Sequence, residues 1–281
     1  MSMAISNVST FLLIDNALIT DREGDAIPAD ERPGWVACIY DDKAASVSPH
    51  LIDLQLAYEV GHLDRAMALV NATPEKLHVS IIDTVLSCVE LVQHLRHFIM
   101  VRCAGRKNLT LRFADCAVLL ELAKFLAAEQ WAALAWAMSR WQVHGYDGKL
   151  LALPHADAAV SPSSWPLVLT EQQLNALDTA MLPNKMLACL RSMRHGAALP
   201  GSVAEQNHWA SESCRLWRDA GNTDHVVLRW LTSAVLDTHG EILRQKTIGT
   251  LLAQADLVVI RTGLSAAVMQ HRAKLNRPRE G

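Results

Sequence analysis

Short apolar runs alternate with helical patterns through the first half of the chain. Runs rich in β-branched and aromatic residues predict strands at residues 11–14, 35–40, 79–82, 98–103 and 109–113. Apolar residues at helical spacing predict helices near residues 49–56, 62–70 and 84–97. The last two strands are separated by five residues that include Gly105 and Asn108, which tolerate positive φ, so an antiparallel hairpin is expected. The alternation predicts an α/β (α+β) lobe, in which helices cover a small mixed sheet.

The second half of the chain reads as helices alone. Three prolines and three serines fall within residues 154–166, a composition that cannot sustain a helix or a central strand. After this segment, capping-box patterns begin at Thr170 and Ser202, and the last helix is expected over about residues 257–272. Its inward positions are predicted to be Leu257, Ile260, Leu264, Ala267 and Val268. We therefore predict an α/β lobe at 1–153, a linker at 154–166 and an all-α lobe at 167–281.

The composition indicates which classes of partner and which cellular compartment to expect. Hydrophobic residues make up 51% and charged residues 20% of the 281 positions, which is typical of a globular protein. A formal net charge of -3 gives no electrostatic argument for a nucleic-acid or membrane partner. Asp15 interrupts the apolar run near the N-terminus, and the most apolar later stretch, 118–138, carries three charges. The six cysteines form no C-x-x-C pair, so we expect free thiols in the cytoplasm.

Arg112 and Asp115 have a structural interpretation. Asp115 directly precedes an apolar helical run and is placed to be its N-cap, where a carboxylate can accept hydrogen bonds from free amides. Arg112, three residues earlier, is a plausible ion-pair partner for it. This pattern favours a structural role over catalysis.

Glu90, His94 and His97 form the arrangement most similar to a metal site. Their spacing places all three on neighbouring turns of one helix face, so another segment could complete a metal centre. The alternative is an ordinary Glu90–His94 surface pair with His97 near the helix C-terminus. No phosphate-binding glycine loop, nucleophile elbow or dinucleotide fingerprint is present in the sequence. We predict no catalytic residues, no metal and no cofactor.

Eight tryptophans against three tyrosines is an unusual aromatic choice. Trp131, Trp136 and Trp141 recur every five residues, which would distribute them around a helix and not along one stripe. One alternative is packing between elements. The other is an apolar groove in which these three side chains hold a partner segment.

The centre of the chain resembles a known family. Residues 94–97 read His-Leu-Arg-His, and residues 112–115 read Arg-Phe-Ala-Asp. These motifs are similar to His-Leu-Arg-Arg and Arg-Phe-Tyr-Asp-Pro of the adaptor/chaperone family that escorts type VI secretion effectors (the Tap or TEC proteins). Ala114 and Cys116 depart from that pattern. The run ending at Asp15 resembles the family's opening strand, and residues 169–178 resemble the start of its helical part.

The resemblance implies a cytosolic protein that binds a cognate secreted effector and helps load it onto a VgrG or PAAR spike component. Its motif residues are then expected to set the geometry of the first lobe or to contact the partner; they are Asp15, His94, Arg96, Arg112, Phe113 and Asp115. Two alternatives stay open. One is an immunity protein for a neighbouring toxin, and the other is a metal-dependent hydrolase that uses the Glu90/His94/His97 face.

Overall fold

The computed structural model describes residues 8–23, 32–40, 47–103, 108–156, 166–195 and 197–275. The chain divides into two compact units, Met1–Asp178 and Thr179–Gly281. The boundary between the units therefore lies C-terminal to residues 154–166, the Pro/Ser segment predicted as the linker. Residues 157–165 of that segment lie outside the described residues.

The first unit contains most of the strands. They are β1 (Ser9–Ile14), β2 (Val36–Cys38), β3 (His50–Asp53), β4 (Val79–Thr84), β5 (Met100–Cys103), β6 (Leu109–Thr110), β7 (Met138–His144), β8 (Leu150–Ala152) and β9 (Val168–Leu169). Its helices are α1 (Asn16–Glu23), α2 (Leu54–Glu59), α3 (Leu63–Val70), α4 (Cys88–Arg96), α5 (Cys116–Phe125) and α6 (Ala128–Leu134), and α7 (Glu171–Ala180) crosses into the second unit.

The described strands form two sheets. The larger has six strands in the order β2-β3-β1-β4-β7-β8, and every pairing in it is antiparallel. The smaller has the order β6-β5-β9, where β5 pairs antiparallel with β6 and parallel with β9. The α/β character is confirmed. The described strands form two sheets where one small mixed sheet was predicted: the smaller sheet is mixed, and the larger is antiparallel. The β5–β6 hairpin is confirmed, although residues 104–107, including Gly105, lie outside the described residues.

The helix predicted at residues 49–56 is wrong over its first half. His50–Asp53 is strand β3, and it lies between β1 and β2 in the sheet. Leu51 and Ile52 are both buried, since helices cover both faces of the sheet here. A short apolar run of this kind cannot be assigned to strand or helix from its periodicity. The strand ends at Asp53, whose side chain caps α2 by accepting a hydrogen bond from the Leu56 amide at 2.9 Å.

Trp131, Trp136 and Trp141 do not share one helix. Trp131 lies in α6, Trp136 lies in the turn that follows, and Trp141 lies in strand β7. α6 ends at Leu134, and Ala137, with φ of 61°, is the last residue of the turn that leads into the strand. β7 then pairs with β4 near the middle of the larger sheet.

Adjacent residues of β1 contribute to two different cores. Phe11 and Leu13 pack with α4, α5 and β7 residues in the main core, while Leu12 and Ile14 pack with α2 and α3 residues in a second core. Both faces of the larger sheet are therefore buried, which explains why β1 is a continuous apolar run and not an alternating one. Leu174 and Leu177 of α7 pack against the main core, so the segment after the predicted linker belongs partly to the first unit.

The second unit is helical in its described residues. It contains α8 (Leu182–Met193), α9 (Val203–Asp219), α10 (His225–Asp237), a 3-10 helix (Glu241–Arg244), α11 (Thr247–Leu252) and α12 (Leu257–Leu275). The capping box at Ser202 is confirmed, since Ser202 and Glu205 exchange hydrogen bonds. Ile260, Leu264 and Ala267 are buried as predicted, but Leu257 is 42% exposed, so its inward assignment is wrong. None of the helices in the described ranges is long and apolar enough to cross a membrane.

Candidate functional site

Asp15, Arg112 and Asp115 form a charged cluster at one end of the larger sheet. The Arg112 guanidinium Nη2 lies 2.8 Å from Asp15 Oδ2 and 3.8 Å from Asp115 Oδ2. The side chains of Asp15 and Asp115 are only 5% and 13% exposed, whereas that of Arg112 is 47% exposed. One half-exposed cation therefore neutralises two buried carboxylates.

Local hydrogen bonds position both carboxylates. Asp15 follows β1 directly; its amide donates to the His78 carbonyl at 2.8 Å, and its Oδ1 accepts from the Ala17 amide at 3.1 Å. Asp115 is the N-cap of α5, where its Oδ1 accepts from the Ala117 amide at 3.0 Å. The predicted N-cap is confirmed. The predicted Arg112–Asp115 ion pair is present, but Asp15 is the closer partner.

The cluster perturbs the ionisation of its neighbours. Burial raises the pKa of Asp115 to about 6, the nearby Asp15 carboxylate adds to the rise, and Arg112 opposes it. Burial and the Asp15 charge also raise the pKa of Tyr40. Burial raises the pKa of the Cys116 thiol to about 12, so this thiol, which donates to the Val79 carbonyl, stays protonated at neutral pH.

Arg96 holds the end of β2. Its Nε donates to the Ile39 carbonyl at 2.9 Å, and its Nη2 donates to the Cys38 carbonyl at 3.3 Å. Arg96 is exposed. Tyr40, which follows these carbonyls, lies near Arg112, whose positive charge opposes the rise in the Tyr40 pKa. Two accessible guanidinium groups thus lie beside the same short segment after β2.

His94 and Phe113 lie in the interior of the unit. His94 is buried, its Nε2 is 2.8 Å from the Leu134 carbonyl, and its ring contacts those of Phe98 and Trp136. Burial lowers the pKa of His94, which favours the neutral ring. Phe113 is 1% exposed in the main core.

A family model described as Domain of unknown function (DUF4123) matches residues 10–133. The comparisons with curated proteins and with solved structures give no match. The DUF4123 segment runs from β1 into α6 and includes the whole Asp15–Arg112–Asp115 cluster as well as Arg96 and Phe113. It ends before β7.

The structure separates the three side chains of the possible metal face in the DUF4123 segment. Glu90 is exposed, and its Oε2 accepts hydrogen bonds from the Ser87 amide at 2.8 Å and hydroxyl at 2.7 Å, which form a capping box. His94 points inward and His97 is exposed. Among the described residues, no group of three or more His, Cys, Asp or Glu side chains is placed to hold a metal ion.

Trp131 and Trp141 stack on each other in the core. Their ring centroids are 6.1 Å apart at an interplanar angle of 21°, and both side chains are buried. The Trp131 Nε1 donates to the Pro154 carbonyl, and the Trp141 Nε1 donates to the Ser80 hydroxyl, each at 3.0 Å. This arrangement favours the packing interpretation for these two residues. Trp136 is half-buried against His94. A partner groove of all three stays a prediction.

Sequence reasoning missed two features of the first unit. The Asp15–Arg112 pair joins residues 97 positions apart, and its only signal was an acidic residue that directly follows an apolar strand. The second is His50, which is 2% exposed and whose Nε2 has no hydrogen-bond partner among the described residues. Nothing in the run His50–Asp53 marked this histidine as buried.

His50 and Asp115 should give opposite pH dependence to stability. Burial and the charge of Arg32 lower the pKa of His50 from 6.5 to about 4, so its contribution is complete above pH 6.5 and is lost as the pH falls to 4. The pKa of Asp115 rises from 3.8 to about 6, so its contribution is complete below pH 3.8 and is lost as the pH rises through 6. Each contribution to the free energy of unfolding is about 3 kcal/mol, and because the two have opposite pH dependence they nearly cancel in the native protein.

Single substitutions should separate these contributions. When the pH falls from 7 to 4, the free energy of unfolding of the native protein should change little. Over the same range, that of Asp115→Asn should fall by about 3 kcal/mol, and that of His50→Leu should rise by a similar amount. Urea unfolding at pH 7, 5.5 and 4 measures both. Asparagine keeps the N-cap of α5, so Asp115→Asn tests charge with little change of structure. Three parallel stability curves would contradict the assignment.

Proposed function

We propose that this protein is a cytoplasmic adaptor/chaperone that binds a cognate type VI secretion effector, stabilises it and helps load it onto a VgrG or PAAR spike component. One observation carries the proposal. The DUF4123 match at residues 10–133 falls on the segment whose motifs at 94–97 and 112–115 resemble the adaptor/chaperone family.

The use of the motif residues supports binding without turnover. Asp15 and Asp115 are neutralised by Arg112, Glu90 is occupied in a capping box, and His94 is buried against a backbone carbonyl. The groups that could carry acid–base or metal chemistry thus have structural partners. Arg96 and Arg112 keep accessible guanidinium groups at one end of the unit, where acidic side chains or carbonyls of an effector could bind.

Exposed apolar side chains on α2 and α3 suit a chaperone. We define the α2–α3 apolar surface as Tyr58, Val60, Leu63 and Met67, which are between 36% and 67% exposed. Leu63 and Met67 are four residues apart and share one face of α3. Such side chains could cover an apolar segment of an effector that would otherwise aggregate.

Co-purification with the products of neighbouring genes tests the proposal. We expect a stable complex with an effector, mapped by effector truncation to its N-terminal or PAAR-linked part, in which mass spectrometry finds the effector chemically unchanged. Deletion of the adaptor should abolish export of that effector but not of others. Binding only to a toxic domain, with protection in trans, would instead indicate an immunity protein. Absence of a partner together with stoichiometric metal would support the hydrolase alternative.

The α2–α3 apolar surface can be tested with a matched pair of variants. We expect Leu63→Ser/Met67→Ser to weaken effector capture, while Val85→Ser/Val89→Ser, which also changes two exposed apolar residues four apart in the first unit, leaves it intact. Equal capture by both variants would place the effector elsewhere on the protein.

A further inference from the structure

A shallow groove lies between α10 and α12 in the second unit. It has a volume of about 420 Å³ and is lined by Trp230, Leu257, Val258, Arg261, Thr262 and Ser265. Only Trp230 comes from α10, and the other residues belong to the first half of α12. The groove therefore runs along α12, and Trp230 of α10 forms its other side.

An exposed apolar residue, Met269, extends the groove along α12. Val258 and Met269 are each 71% exposed, although Ile260 and Leu264 of the same helix are fully buried. Val258, Thr262, Ser265 and Met269 follow each other at spacings of four, three and four, so they share one face. This face extends about 16 Å, or three helical turns. Val258, Thr262 and Ser265 of this face line the groove, and Met269 lies beyond them.

Arg261 is the charged residue among the six that line the groove. Arg261 places its guanidinium carbon 5.6 Å from the ring centroid of Trp230, which holds the cation at the groove by a cation–π contact. The sequence of α12 contains Arg261, Arg272 and Lys274 but neither Asp nor Glu. Three acidic residues lie at the ends of these helices, and the first, Asp224, is the N-cap of α10 and accepts a hydrogen bond from the Val226 amide at 2.7 Å. Asp256, just before α12, accepts hydrogen bonds from the Val258 and Val259 amides, and Asp237 of α10 pairs with Arg194 at 2.6 Å.

We propose that this groove binds an amphipathic helix of a partner protein, whose apolar side chains are flanked by Asp or Glu. Apolar anchors of such a helix would pack on Leu257 and Val258, and a carboxylate would pair with Arg261. The hydroxyls of Thr262 and Ser265 would satisfy polar groups at the edge of the contact. A helix laid into a groove between two helices is a common mode of recognition. The proposal goes beyond the proposed function and does not depend on it.

The observations favour a protein helix over a membrane surface. The site is concave, whereas helices that bind membranes present a convex apolar face that enters the lipid. Thr262 and Ser265 interrupt the exposed face with polar groups. Arg261 is held against Trp230 and directed at the groove, where one carboxylate can meet it.

Binding of two stapled helical peptides to the full-length protein tests the proposal. Both peptides carry leucines on one face; glutamates flank them in the first peptide and lysines in the second. Fluorescence anisotropy should show that the glutamate peptide binds at least about tenfold more tightly, which corresponds to about 1.4 kcal/mol. Arg261→Glu should reverse this preference, and Val258→Ser should weaken binding of the glutamate peptide.

Arg244→Glu is the matched control. It makes the same charge change at an exposed arginine of the second unit, which pairs with Glu241 outside the groove, and it should leave peptide binding unchanged. Thermal unfolding of each variant checks that it folds. Equal affinity for both peptides, or no effect of Arg261→Glu, would overturn the proposal. Binding to phosphatidylserine-containing vesicles without binding to the glutamate peptide would overturn it in favour of a membrane. Self-association that Val258→Ser abolishes, again without peptide binding, would assign the groove to a second copy.

Discussion

Replacing Arg112 by alanine is expected to lower the free energy of unfolding by about 3 to 4 kcal/mol at pH 8. The substitution removes the cation that neutralises Asp15 and Asp115 and leaves two buried carboxylates close enough to repel each other. Removing one partner of a buried pair costs more than the pair contributes, because the remaining charge stays desolvated. The half-exposed guanidinium places the expected effect at the lower end of the usual range.

The loss should shrink as the pH falls. Arg112 opposes the rise in the pKa of Asp115, so without it this pKa rises further above about 6. The penalty is therefore complete above that pKa and shrinks as the Asp115 carboxyl group becomes protonated. Urea unfolding at pH 8 and pH 5 measures this difference. Arg215→Ala is the matched control, because Arg215 also pairs with two carboxylates, Glu212 and Asp219, but all three side chains are solvent-accessible. It should cost less than about 1 kcal/mol. Equal losses in the two variants would show that burial of the carboxylates is not the cause.

Phe113→Ala is expected to destabilise the protein by about 3 to 5 kcal/mol. Phe113 is 1% exposed and packs in the main core of the first unit, so truncation removes buried apolar area and leaves a cavity. The same substitution should also weaken the charged cluster, since Phe113 lies between Arg112 and Asp115 in the turn before α5. Denaturant unfolding measures the stability.

Phe113→Leu distinguishes packing from partner contact. It keeps most of the apolar volume and should cost less than about 1.5 kcal/mol. If Phe113 acts only through packing, Phe113→Leu should bind the effector as tightly as the native protein in the co-purification assay. A folded Phe113→Leu variant that loses the effector would instead make Phe113 a binding residue.

Local patterns predicted much of the fold. The strands at 11–14 and 79–82, the helix at 62–70 and the β5–β6 hairpin all follow from short-range periodicity and turn residues, and Asp115 and Ser202 are N-caps as their sequence context indicated. These features depend on contacts within a few residues, which a sequence displays directly.

Features that depend on distant partners could not be predicted in the same way. β3 is a strand because β1 and β2 pair with it on both sides, and β7 is a strand because β4 and β8 do. The residues before Trp136 favour a helix, so the sequence did not indicate that strand β7 begins directly after Ala137. The pairing of Asp15 with Arg112 depends equally on tertiary structure, since α5 must reach the end of β1 before the two side chains can meet.

The position of β7 determines which fragments of the protein can be expressed as folded units. A fragment that ends at residue 133, with the DUF4123 match, would leave β4 with an unpaired edge and would remove Met138 and Trp141 from the core. An exposed apolar edge of this kind promotes aggregation. A fragment that ends at the Pro/Ser segment would still lack β9 and the core-facing leucines of α7. Fragments that carry the first unit should therefore continue through α7 to Ala180, because similarity in sequence here covers less of the chain than cooperative folding requires.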